Sequence, residues 1–168
     1  YAFCGRSTAT QELFSHVDNN LFVTMYGKSG IGKSSLLQAG LFPKLRGNGY
    51  FPIYIRLGKE LTGTSYSKIV TDALCNEITK SGYTITQGDS IGTDDFPSFT
   101  DDNYLWHFFA TTRFYDLDGS TIFPVVVIDQ MEELFFGDRE QLEMFLKQIY
   151  LLLDDCPLLS GAMSDEVI

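Results

Sequence analysis

A glycine-bounded loop set between an apolar run and a helix-forming run constrains this chain more than any other feature. Gly27-Lys28-Ser29-Gly30-Ile31-Gly32-Lys33-Ser34 fits the phosphate-loop pattern G-x-x-x-x-G-K-[ST]. Leu21, Phe22, Val23, Thr24, Met25 and Tyr26 lead into it, and Ser35, Leu36, Leu37, Gln38 and Ala39 follow. Strand, loop, helix is the context such a motif needs. Gly27 and Gly32 allow backbone angles and close approaches that a Cβ would block. The loop from Gly27 through Lys28, Ser29, Gly30 and Ile31 can then turn its N–H groups toward phosphate oxygens at a helix N-terminus. Lys33 is predicted to reach the β- and γ-phosphates, Ser34 to place its hydroxyl on Mg²⁺, and Ser35 to donate to the α-phosphate. The structural alternative is a glycine-rich turn joining a strand to a helix.

At 168 residues the chain has room for one α/β domain with a core and is too short for two ordinary ones, so 1–168 reads as a single domain. A hydrophobic content of 44% fits a soluble globular protein, and no apolar stretch reaches spanning length, so no membrane role is expected. No signal peptide opens the chain, which begins at Tyr1 and is expected to be cut from something longer. The net charge of −10 disfavours a general nucleic-acid surface. Cys4, Cys75 and Cys156 are odd in number and unpaired in spacing, as expected of reduced thiols in a cytoplasmic protein. His16 and His107 stand alone and read as structural or surface residues.

Helix and strand signals alternate along the chain. A first helix is predicted through Leu13, Phe14 and Val17, and a second after the loop, ended or bent by Gly40 and Pro43. Phe51 to Leu57 reads as a strand. Tyr66, Ile69, Val70, Ala73, Leu74 and Ile78 form a helical stripe. The Gly-, Ser-, Thr- and Asp-rich stretch 81–102 reads as a long surface loop. A helix is predicted over Asn103 to Tyr115. Ile122 to Asp129 is continuously apolar, as in a parallel strand covered on both faces. Asp138 with Gln141 resembles a capping box, opening a helix that buries Leu142, Phe145, Leu146, Ile149, Leu152 and Leu153. The alternation predicts βαβ units and a three-layer α/β/α fold with a mostly parallel sheet.

Asp129 closes that apolar strand, at the carboxyl end where open α/β sheets bind ligands. A carboxylate there is placed to hold Mg²⁺ together with Ser34, or alternatively to cap the next turn. Glu132 and Glu133 follow, and a glutamate near the γ-phosphate can orient and deprotonate an attacking water. Either one fits that role. The other then faces solvent or pairs with a cation.

Gly5-Arg6, the run from Gly27 through Ala39, Gly40, Leu41 and Pro43, and Val126-Val127-Ile128-Asp129-Gln130-Met131-Glu132-Glu133-Leu134-Phe135 together resemble the novel-STAND family. These are signal-transduction ATPases with numerous domains, related to AAA+ proteins. The resemblance implies a P-loop NTPase that binds ATP and Mg²⁺. It makes Lys33 and Ser34 phosphate and magnesium ligands, Asp129 the Walker B acid, and Glu132 or Glu133 the catalytic glutamate. It sets the Phe3–Arg6 segment, Arg6 included, near the adenine or ribose. It also implies a nucleotide-controlled switch with flanking effector and sensor domains that assembles into a homo-oligomer on activation, in signalling or antiviral defence.

The family core has a further strand between the loop strand and the Walker B strand, with a sensor residue at its end. Residues 160–168 show neither that strand nor an arginine, so an incomplete ATPase core is expected. Such a sheet leaves backbone groups unpaired, and the isolated chain is expected to be poorly stable. Three other readings stay open: a P-loop kinase of a small molecule, a non-hydrolysing nucleotide-binding scaffold, and a DNA-dependent motor. Two acidic residues past Asp129 favour water over a kinase acceptor.

Overall fold

In a computed structural model the described residues are 6–28, 30–57, 65–87 and 101–154. They fall into two compact units, Tyr1–Pro52 and Ile53–Ile168.

The first unit opens with helix α1, Ser7–Asn19. Arg6 occupies its N-cap position without a capping side-chain bond. Residues 21–28 lie outside any helix or strand. The strand predicted over Leu21–Tyr26 is therefore not formed among the described residues. Apolar and β-branched composition makes a strand only where a neighbouring strand takes its N–H and C=O groups. Leu21, Phe22 and Tyr26 are instead exposed.

The helix after the loop does not stop at Gly40. Helix α2, Lys33–Ser35, continues as a π-helical segment, Leu36–Leu41, and then as α3, Phe42–Arg46. The wider π turn carries the chain past Pro43, which lacks the N–H an ordinary α turn would use. Leu37, Leu41, Phe42 and Leu45 are buried along this run. At Gly40 the chain packs tightly against α1: a Cβ there would lie 2.6 Å from Thr10 Oγ1. The glycine is needed for approach, not for termination.

The second unit is mixed α/β, with one small parallel sheet and one antiparallel pair. Strand β1, Tyr50–Arg56, crosses into this unit and runs beside β4, Phe123–Asp129, as the parallel pair. Strand β2, Thr84–Gln87, pairs antiparallel with β3, Thr112–Tyr115, Ile85 facing Phe114. Two expectations change here. The stretch 81–102 contains β2 and ends in a 3₁₀ turn, Asp101–Asn103; its residues 88–100 lie outside the described set. The helix predicted to Tyr115 is α5, Tyr104–Thr111, and its last four residues belong to β3.

Helix α4, Tyr66–Lys80, buries Tyr66, Val70, Leu74 and Ile78, one residue per turn along a single face. Ser65 caps it by accepting from the Lys68 N–H at 3.3 Å. Helix α6, Arg139–Asp154, is capped by Asp138 Oδ1, which accepts from the N–H groups of Glu140 and Gln141. The reciprocal half of the box is missing, since Gln141 Oε1 is buried without a partner. Phe145 is 2% exposed and meets the Tyr66 ring edge-on at 5.8 Å. Leu146, predicted to be inside, is exposed; the buried position is Gln148. Its amide accepts from the Leu105 N–H and donates to the Asp101 carbonyl, satisfying the start of α5.

β4 departs from the doubly buried strand that its sequence suggests. Phe123 is exposed and residues 124–129 are only half-buried. Its one ladder to a named strand, among the described residues, is to β1. Cys75 on α4 is a free thiol, pushed up in pKa by burial and then by the neighbouring Asp72 charge. The raised pKa keeps this half-buried thiol protonated at neutral pH.

Candidate functional site

The predicted site residues fall in both units, and each group has its own internal geometry. In the first unit the chain must reverse sharply to enter α2. Gly30 and Gly32 supply that turn at φ 79° and 88°, angles that side-chain-bearing residues rarely adopt. Gly32 stands at the N-cap of α2. Lys33 folds back over the loop. Its ammonium donates to the carbonyls of Gly27 at 2.8 Å and Lys28 at 3.2 Å. The Ile31 N–H donates to the Lys28 carbonyl at 3.4 Å, closing the turn. Gly27, Lys28, Gly30 and Ile31 are exposed, as are Ser34 and Ser35 at the helix start. Ser29 lies outside the described residues.

Arg6 is a second cation on this loop. Its Nη2 donates to the Ile31 carbonyl at 2.8 Å, and its guanidinium lies against Gly32, 3.4 Å from where a Cβ would stand. The residue resembles an adenine-side group in sequence; the structure sets it on the backbone of the loop. Phe3, Cys4 and Gly5 are outside the described residues. Two cations beside a glycine-turned loop at a helix start are the kind of group that attracts a multiply charged anion.

In the second unit, β4 delivers Asp129 to a turn. Gln130 takes left-handed backbone angles at φ 56°, unusual for a residue with a side chain, and its Oε1 is buried without a partner. A 3₁₀ turn, Met131–Phe136, follows, anchored by Leu134 at 1% exposure. The Glu133 N–H donates to the Gln130 carbonyl at 2.8 Å. Asp129 Oδ2 accepts the hydroxyl of Tyr54, and Glu133 Oε1 accepts Nη2 of Arg56 at 2.8 Å. Glu132 is exposed.

Tyr54 and Arg56 were not singled out by sequence reading, although one signal pointed to them. They alternate with buried Ile53, Ile55 and Leu57 and so share the opposite face of β1. Among the described residues no set of three or more His, Cys, Asp or Glu side chains converges as a metal cluster. Ser34 in the first unit and Asp129 in the second each carry an oxygen donor of the kind magnesium takes. No helix among the described residues is long and apolar enough to cross a membrane.

The family model described as Novel STAND NTPase 1 matches residues 1–165. No curated protein and no solved structure matches the chain significantly.

Proposed function

Because the chain belongs to the Novel STAND NTPase 1 family, we propose that this STAND-type NTPase domain binds ATP through the loop 27–35 and hydrolyses it. The observation that carries this reading is the loop itself. Left-handed Gly30 and Gly32 turn it, and Lys33 and Arg6 supply two positive charges at a helix start. In this reading Lys33 moves from the loop carbonyls to the β- and γ-phosphates. Ser34 and Asp129 carry the oxygen donors that would hold magnesium, whose charge would offset that of the phosphoryl group. A glutamate of the pair Glu132 and Glu133 orients the attacking water. The domain then serves as a switch, coupled to effector and sensor domains and to assembly of several copies, in signalling or defence.

The test is ATP turnover by the purified protein with magnesium. Inorganic phosphate is expected as the product, and phosphate found on a second small molecule would point to the kinase reading instead. Lys33→Ala is expected to weaken ATP binding roughly tenfold or more, the worth of a hydrogen bond from a charged group. Unchanged affinity would remove Lys33 from the binding role. Binding without turnover in the unaltered protein would favour a scaffold.

A further inference from the structure

Two adjacent glutamates follow Asp129, and the structure treats them differently. Tyr54 and Arg56 sit two residues apart on β1, so both project from the face opposite Ile53 and Ile55. That one face grips both acidic groups: Tyr54 donates to Asp129 and Arg56 to Glu133. Glu132 is exposed, whereas Glu133 is half-buried and shares with Asp129 the β1 face that holds them. The Glu133 side chain keeps 30% of its surface accessible, enough for water to reach it. Arg56 engages Oε1 through a single bond, which leaves the lone pairs of Oε2 for another partner.

We propose that Glu133 is the carboxylate that acts on water, and that Arg56 is its positioning residue, as Tyr54 is for Asp129. The proposal rests on the hydrolytic reading above. In the step concerned, the water oxygen bonds to the γ-phosphorus as the bond to the bridging oxygen breaks toward ADP. The water proton passes to Glu133 and leaves with inorganic phosphate. Arg56 touches neither water nor phosphate in this account. It fixes the rotamer of Glu133 so that the free oxygen is presented in one direction. An exposed ion pair of this kind adds little to stability, so its removal reads out positioning more than folding.

Steady-state ATP turnover and ATP binding, measured on the same preparations, test the proposal. Arg56→Gln should lower kcat by roughly tenfold to a hundredfold, the penalty of misplacing a reacting group. KM and the Kd for ATP should change less than about twofold, and Arg56→Lys should recover part of the loss. Glu133→Gln should lower kcat more than Glu132→Gln does. A kcat unchanged or raised in Arg56→Gln, or a greater loss in Glu132→Gln than in Glu133→Gln, overturns the proposal while leaving hydrolysis intact. An unaltered protein that binds ATP and releases no phosphate ends both readings together. Should Arg56→Gln unfold the protein, Arg56→Lys and the two glutamate variants decide the question by themselves.

Discussion

Gly40 shows how one missing methyl group can decide a packing contact. Gly→Ala inside a helix normally stabilises by about 1 kcal/mol, because alanine loses less freedom on folding. Here the new Cβ would meet Thr10 Oγ1 at 2.6 Å, and a short, β-branched threonine has little room to yield. Gly40→Ala is therefore expected to destabilise by about 1–2 kcal/mol in chemical denaturation. In a Thr10→Ala background the same change should stabilise, and equal effects in both backgrounds would show that the contact is not the cause. The sequence carried the glycine without its reason, since a helix-breaking and a close-approach glycine look alike until the partner helix is placed. The glutamates behave in the same way. Adjacent letters made Glu132 and Glu133 interchangeable, and only Arg56, 77 positions away, separates them.

Where local chemistry governs an element, its limits were readable. The α4 stripe and the Asp138 cap belong to this class, because both depend on residues within a turn or two. Asp138 accepts two N–H groups as a charged cap, while Ser65 accepts one at 3.3 Å. Asp138→Ala should accordingly cost more, about 1–2 kcal/mol against about 0.5–1 kcal/mol for Ser65→Ala, in urea unfolding. A larger loss from Ser65→Ala would contradict that ranking. Elements that depend on a distant partner were not legible. Thr112 to Tyr115 continue the apolar spacing of α5, so only the arrival of β2 reveals them as a strand. Leu21 to Tyr26 present the reverse case, strand-like letters with no ladder among the described residues. Propensity states what a segment tolerates, and pairing settles what it becomes.

Across the whole molecule, the family was visible in the two motifs, while the extent of the sheet was not. The excess of acidic groups gives a net charge of −10 and a field that repels anions at long range. The loop therefore has to capture a negatively charged ligand against that field. Stopped-flow association of ATP is expected to speed up as salt rises and screens the repulsion; slowing with salt would indicate attractive steering instead. The Lys33 ammonium, already resting on the Gly27 and Lys28 carbonyls, adds a consequence for timing. Phosphate entry becomes an exchange of partners at a group already in place, not the recruitment of a loose side chain. Filling of the loop should thus follow a single exponential whose rate is set by diffusion through the chain's own field, with no slow rearrangement trailing it.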